Sequence, residues 1–296
     1  MLIVEKLSSN EKLSESEESI AAFLLQQGVQ VNKYSTRSLA EVTYTSPATV
    51  VRLCKKLGFK GFDDFKEQFL KEIKYLDQQS GIVDVNFPFS KDDTMMKAAN
   101  KISHLYEETI QDTMSLLQYD SLQKATTLFK YCQNIYVFSA GTALNQAESF
   151  REKMLKIGKR VSISNNLNYQ LYEVGCLSKS DVAILISYSG ETEKTLQVAK
   201  ECKNRHVPII AITSFGENTL SQYADCKLII STKESMFRNL GDYSTHLSIN
   251  LILDILYSTY FLQDYENNYK KKLEKAKVLE KLRKSTNSII MISDEE

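Results

Sequence analysis

"DVAILISYSGETEKTLQVAK", residues 181–200, runs from an apolar β-branched stretch through serines, a glycine and a threonine into helix-forming residues. A short continuous apolar run that ends in a turn and leads into a helix is the pattern of a strand buried on both faces. The same pattern recurs on either side. "IYVF" (135–138), "RVSIS" (160–164), "PIIAIT" (208–213) and "CKLIIS" (226–231) alternate with helix-length segments such as "ALNQAESFREKMLKIG" (143–158). Strands alternating with helices predict an α/β domain built on a parallel sheet of roughly five strands, with helices covering both faces. Two helices, in "MMKAANKISHLYEETIQDTMSLLQ" (95–118) and "SLQKATTLFKYC" (121–132), lead into it.

In an open parallel sheet, ligands bind beyond the carboxyl ends of the strands. The strand at 181–187 delivers "SYSGET" to that edge, where the next helix begins with unpaired backbone N–H groups and the positive end of its dipole. Gly190 permits close backbone approach, and Ser187, Ser189 and Thr192 add hydroxyl donors suited to phosphate oxygens. No lysine occurs in the loop, so it is not a nucleotide P-loop and suits a monophosphate ester better than a triphosphate. The first strand also ends in a small-residue loop, "SAGT" (139–142), before a helix. That places a second anion-tolerant turn beside the first.

Residues 1–76 follow a different grammar. "LSESEESIAAFLLQQG" (13–28) carries a capping pair, Ser14 with Glu17, followed by Ile20, Phe23 and Leu24 at helical spacing. A short helix over Ser35 to Val42 is followed by a turn at Thr43 to Thr45. The next helix has Ser46 as its cap and Pro47 in its first position, and Gly58 closes it. "FDDFKEQFLKEI" (62–73) supplies a fourth helix, with Phe62, Phe65, Phe69 and Ile73 on one stripe. The second and third of these helices have helix-turn-helix spacing. At 100° per residue, Val50, Leu53, Cys54 and Leu57 form a core face, with Ala48, Arg52, Lys55 and Lys56 opposite.

The chain has 296 residues, which predicts two domains, and a formal net charge of zero, which argues against wholesale nucleic-acid binding. Locally the balance differs. Between residues 33 and 60, Lys33, Arg37, Arg52, Lys55, Lys56 and Lys60 face Glu41 alone. A basic face on a helix-turn-helix predicts contact with double-stranded DNA. Arg52 suits a guanine edge, Ser46, Ala48 and Thr49 suit base edges or phosphates, and Lys55, Lys56 and Lys60 suit phosphates. The five cysteines lack a CxxC pair, so buried thiols are expected, with no disulfide framework and no metal site. The start, "MLIVEKLSSNEK", is too short and too quickly charged for a signal peptide, and the longest apolar run, "INLILDILY", is interrupted by Asp254. A cytoplasmic protein without membrane attachment is expected.

Residues 135 to about 262, with the serine-rich turn "SYSGET", the strand "PIIAIT" and then "SFGENTLSQYAD", resemble a SIS (sugar isomerase) domain, a phosphosugar-binding fold. The resemblance implies that Ser187, Ser189 and Thr192 hold the sugar's phosphate. Ala143 stands where that family usually carries a further serine in the first loop, with Thr142 beside it. "LSESEESIAAFLL" through "SPATVVRLCKKLGFKGFDDFK" resembles the helix-turn-helix domain of the RpiR/MurR family of bacterial transcriptional regulators, which join it to a SIS domain. Thr43-Tyr44-Thr45 departs from that family's usual turn of a small residue, a glycine and an aliphatic.

The expected architecture is thus an all-α helix-turn-helix domain (1–76), a linker (77–92), an α/β SIS domain with its lead-in and C-terminal helices (93–284) and a tail (285–296). The resemblance implies a regulator that senses a sugar phosphate, binds a dyad-symmetric operator as a homodimer or larger assembly, and controls carbohydrate uptake or catabolism genes. Candidate ligand contacts are Ser187, Ser189, Gly190, Glu191 and Thr192, together with Ser139, Gly141 and Thr142, and Glu234 and His246 after the fifth strand. The competing function is an aldose-ketose isomerase, for which Glu234 and His246 are the best base and ring-opening candidates. A DNA-binding domain favours sensing, so no catalytic residue and no cofactor is assigned. The lysine-rich stretch from Asn267 is expected to be a solvated helix face.

Overall fold

The computed structural model describes residues 2–9, 13–77 and 82–279. The tail 285–296 lies outside them. The chain divides into two compact units: Met1–Glu108 with Phe215–Asn218 and Lys233–Gly241, and Thr109–Ser214 with Thr219–Thr232 and Asp242–Glu296.

The first unit contains α1 (Ile3–Ser8), α2 (Glu15–Gln27), a 3-10 turn (Gly28–Lys33), α3 (Thr36–Val42), α4 (Pro47–Lys56) and α5 (Phe62–Asp77). Local signals set most of these boundaries. The Ser14 N–H donates to the Glu17 carboxylate at 3.0 Å, and Ser46 accepts from the Thr49 N–H at 3.1 Å with Pro47 following it. Ile20, Leu24, Leu39, Val50, Leu53, Phe65 and Phe69 are buried together in one core. The first helix is different, because its anchor is distant in sequence. Glu72 on α5 accepts the backbone N–H groups of Ile3 and Val4, both at 2.8 Å, satisfying donors that α1 leaves open.

Residues 82–94 hold no regular element but are anchored. Asn86 accepts the Leu240 N–H through its carbonyl (3.0 Å) and the Ser235 N–H through its side chain (2.6 Å). The helix α6 (Met95–Leu116) follows, and the division between units falls inside it.

In the second unit come α7 (Tyr119–Tyr131), β1 (Ile135–Ser139), α8 (Ala143–Lys156), β2 (Val161–Ile163), α9 (Leu167–Val174), β3 (Val182–Ile186) and α10 (Glu193–Asn204). They are followed by β4 (Ile209–Ser214), α11 (Thr219–Tyr223), β5 (Cys226–Ile230), α12 (Tyr243–Leu262) and α13 (Tyr265–Leu279). The five strands are parallel, in the order β2-β1-β3-β4-β5. Alternate residues of β3 enter two separate cores. Ile184 and Ile186 pack with Phe150, Ile252 and Leu256, while Ala183 and Leu185 pack with Val174, Val198 and Leu220. Both faces are covered, which is why the strand is apolar throughout.

The apolar run near the C-terminus is α12, and its Asp254 pairs with Lys153 of α8. Among the described residues no helix is long and apolar enough to cross a membrane. All five cysteines are free. Cys54, Cys202 and Cys226 are buried, and burial pushes the thiols of Cys54 and Cys202 up to about 12, but Cys176 is exposed, contrary to expectation.

Candidate ligand site and candidate DNA interface

From β1 the chain proceeds to β2 on one side and to β3 on the other, so the strand order reverses between β1 and β3. The loops after these two strands therefore flank the crevice where open α/β sheets bind ligands. Ser139 is paired with Ile186 in register, and its buried hydroxyl donates to the Ile186 carbonyl at 2.8 Å. That hydroxyl ties the two strand ends together. Gln170 of α9, also buried, donates to the Ser139 and Ser164 carbonyls, both at 2.9 Å, and holds the end of β1 from the other side.

The turn after β3 is closed by its own hydroxyls. Ser187 Oγ lies 2.9 Å from Thr192 Oγ1 and accepts the Gly190 N–H at 3.1 Å. In such a hydroxyl pair one member donates inward, and the hydrogen of the other is available to a ligand. Ser189 Oγ accepts the Glu191 N–H at 3.1 Å, which leaves its own O–H able to donate outward. Gly190 has a φ of 68°, a conformation suited to glycine, and its carbonyl accepts the Leu220 N–H. Glu191 reaches across to a helix further along the chain. Its carboxylate accepts the Thr219 N–H at 2.7 Å, and the Thr219 side chain together with this bond holds it below the usual range. It anchors the turn to the start of α11.

In the loop after β1, Gly141 has a φ of 79°, with open space where a Cβ would stand. Thr142 Oγ1 lies 2.7 Å from His246 Nε2 at the start of α12, so two residues 104 positions apart meet at the rim. Glu234 is buried, although its polar surroundings in the sequence suggest a solvated loop, and it belongs to the segment Lys233–Gly241 of the first unit. Among the described residues, no group of His, Cys, Asp or Glu side chains could hold a metal ion.

The helix-turn-helix sits in the first unit. Val50, Leu53 and Cys54 of α4 are buried, while Ala48, Arg52, Lys55, Lys56 and Lys60 are exposed. Ser46 and Thr49 share a hydroxyl contact at 3.0 Å at the helix start. The turn is held by Thr43, whose hydroxyl donates to the Leu39 carbonyl at 2.8 Å and lies 3.0 Å from Thr45 Oγ1. Between them Tyr44 takes a φ of 54° and is 98 % exposed. A left-handed tyrosine costs roughly 1–2 kcal/mol and glycine's extra chain entropy returns about half of that. Tyr44→Gly is therefore expected to raise stability by up to about 1 kcal/mol, read as a higher thermal midpoint. An unchanged or lower midpoint would show that the turn carries no such strain.

Residues 1–75 match the model of the helix-turn-helix domain, rpiR family, and residues 128–257 match that of the SIS domain. A relative from Thermotoga maritima, named an uncharacterized HTH-type transcriptional regulator, is 30 % identical over 257 residues, covering 86 % of this chain and 89 % of its own. This chain belongs to the RpiR family of transcriptional regulators. Its fold is similar to that of the Vibrio vulnificus NanR protein, solved complexed with ManNAc-6P, at a TM-score of 0.60 and 21 % identity, covering 95 % of this chain and 99 % of that one. The sugar isomerase domain of an RpiR transcription factor from Sphaerobacter thermophilus is similar at a TM-score of 0.53 and 17 % identity, covering 61 % of this chain and 98 % of that one.

The DNA-binding unit of this RpiR-family chain contains a contact that its sequence does not advertise. Glu17 of α2, recognisable in the sequence as a capping residue, is buried and pairs with Lys56 Nζ at 2.7 Å and Arg52 Nε at 3.5 Å, both on α4. Bonds from Lys56 and from the Ser14 N–H lower its carboxyl from an ordinary 4.5 to about 2. A depressed folded-state value stabilises the fold fully above about pH 4.5, and that contribution fades as pH falls toward 2. Acid unfolding followed by circular dichroism is expected to lose its dependence across that window, in part, in Glu17→Gln. An unchanged acid transition would show that the pair contributes nothing.

Proposed function

We propose that this regulator reads operator DNA with the exposed face of α4 and senses a sugar phosphate at the crevice between β1 and β3. The observation that carries the sensing half is the pairing of two hydroxyl-bearing turns at the point where the strand order reverses. Ser187, Ser189 and Thr192 supply O–H donors, and Gly190 and Gly141 allow close approach of an anion. Thr142 and His246 at the rim, with Ser139 behind the loop, are suited to the sugar's hydroxyls and to shaping the pocket. NanR's complex with ManNAc-6P supports a phosphorylated sugar as the ligand class.

On the DNA side, Arg52 carries base recognition, Ser46, Ala48 and Thr49 line the helix start, and Lys55, Lys56 and Lys60 neutralise phosphates. A single helix-turn-helix covers one half-site, so a dyad operator calls for a homodimer or larger assembly. The regulated genes are those of carbohydrate uptake or catabolism, and the protein acts in the cytoplasm with the chromosome.

The protein turns nothing over in this proposal. Isomerisation needs a base placed against the sugar carbons, and the carboxylate of the turn after β3, Glu191, is engaged by the Thr219 N–H instead. Hexose and hexosamine 6-phosphates incubated with the purified protein are expected back unchanged, while the same compounds alter its binding to a duplex carrying its operator. Conversion that disappears in Glu234→Gln would put the isomerase in place of the sensor.

A further inference from the structure

We propose that Glu17 is a positioning residue for base recognition: by holding Arg52 through Nε, it presents the outer edge of the guanidinium to a guanine. This deepens the DNA-binding proposal and rests on it.

The two oxygens of Glu17 have divided roles. Oε2 takes Lys56 Nζ at 2.7 Å and the Ser14 N–H at 3.0 Å, which fixes the carboxylate in place. Oε1 faces Arg52 Nε at 3.5 Å. Glu17 itself is only 3 % exposed, whereas the Arg52 side chain is 65 % exposed. The Nε end of Arg52 thus lies at ion-pair distance from a carboxylate that is itself held in place, and its two terminal amino groups face solvent. Those groups donate two parallel N–H bonds, and a long side chain held in that geometry before binding loses less freedom on complex formation.

Guanine offers two acceptors, O6 and N7, on its major-groove edge, whereas adenine puts an amino donor beside N7. A fixed pair of donors therefore accepts guanine and rejects adenine. Glu17 stays ionised at neutral pH, because its carboxyl sits at about 2, so the anchor persists under working conditions. The charge bears on selectivity in a second way. Glu17 offsets part of the positive face formed by Arg52, Lys55 and Lys56, which all line one shallow recess with it and Ser14. Less net positive charge means weaker attachment to DNA of any sequence.

Glu17→Gln separates these roles, since glutamine retains the capping acceptor for the Ser14 N–H while removing the charge. The duplex probe is obtained by selecting from a random-sequence library with the full-length wild-type protein, and binding to it and to single-base variants is then measured. Glu17→Gln is expected to lose fivefold or more in discrimination at one G·C position, while its binding to unrelated duplex stays equal to wild type or tightens. Combining it with Arg52→Ala is expected to add no further loss at that position. Glu17→Asp keeps the charge but shortens the reach, and is expected to lose the same discrimination; it serves in place of Glu17→Gln if that variant does not fold.

An unchanged guanine preference, a uniform loss across all sequences, or a loss that adds to that of Arg52→Ala would each overturn the role. The DNA-binding proposal has its own failure: a wild-type protein that selects no duplex at all.

Discussion

Ser189→Ala is expected to raise the concentration of sugar phosphate that alters operator binding by roughly tenfold to a hundredfold, with DNA affinity in the absence of ligand equal to wild type. A charge-assisted hydrogen bond to a phosphate oxygen is worth about 1.5–3 kcal/mol, and the substitution removes one. Ser189 is the cleanest of the three hydroxyls to remove. Ser187 and Thr192 hold each other and the Gly190 N–H, so losing either disturbs the turn, while Ser189 contributes only a bond from the Glu191 N–H behind it. The loop lies beyond the strand end, outside both cores of the sheet, and the fold should survive. Sensing and DNA binding are then separable, because the two sites are coupled but the substitution touches only one of them. The unphosphorylated sugar should be a poor effector of wild type, having no anion to offer. Equal potency of sugar and sugar phosphate, or an unaltered response in Ser189→Ala, would reduce the turn to a capped connection.

Arg52→Ala should weaken operator binding by roughly 1–3 kcal/mol and relax the preference at one base position, the signature of a lost bidentate base contact. The Arg52 side chain is exposed, so its removal opens no cavity in the core, and thermal melting checks that the fold is intact. The control is a lysine that only neutralises phosphate. Lys56 would be the natural choice from helical periodicity, but its ammonium is held by Glu17, so its removal also disturbs Arg52. Lys55 is the better control: Lys55→Ala should weaken all sequences alike and lower the salt dependence by about one unit. Operator selectivity that survives Arg52→Ala intact would move base reading to other residues of α4.

Much of this was legible along the chain because the signals are local. The Ser14–Glu17 and Ser46–Pro47 starts, the apolar stripe of α4 and the two periodicities are written within a few residues of where they act. Five apolar runs gave five strands. The helix α1 and the short helices α9 and α11 were not separately visible, since each is too short to show a period and is fixed by partners elsewhere, as α1 is by Glu72. The anchoring of residues 82–94 by Asn86 likewise depends on a loop some 150 residues further on.

The sequence by itself determined the class of each half, the parallel sheet, and the chemistry offered at the turn after β3, because secondary-structure period and turn composition depend on near neighbours. Tertiary structure alone decided which groups meet. Strand order placed "SAGT" and "SYSGET" side by side, since pairing of β1 with β3 rather than with its neighbour in sequence alone is a property of the whole sheet. It turned Ser139 inward to tie the strands and Glu191 toward α11, uses that residue type does not reveal, because a hydroxyl or carboxylate bonds whichever partner folding brings within about 3 Å. And it set Glu17 against Arg52 and Lys56, adding to a basic helix face read from spacing a buried carboxylate partner, through ion pairs between residues more than thirty positions apart.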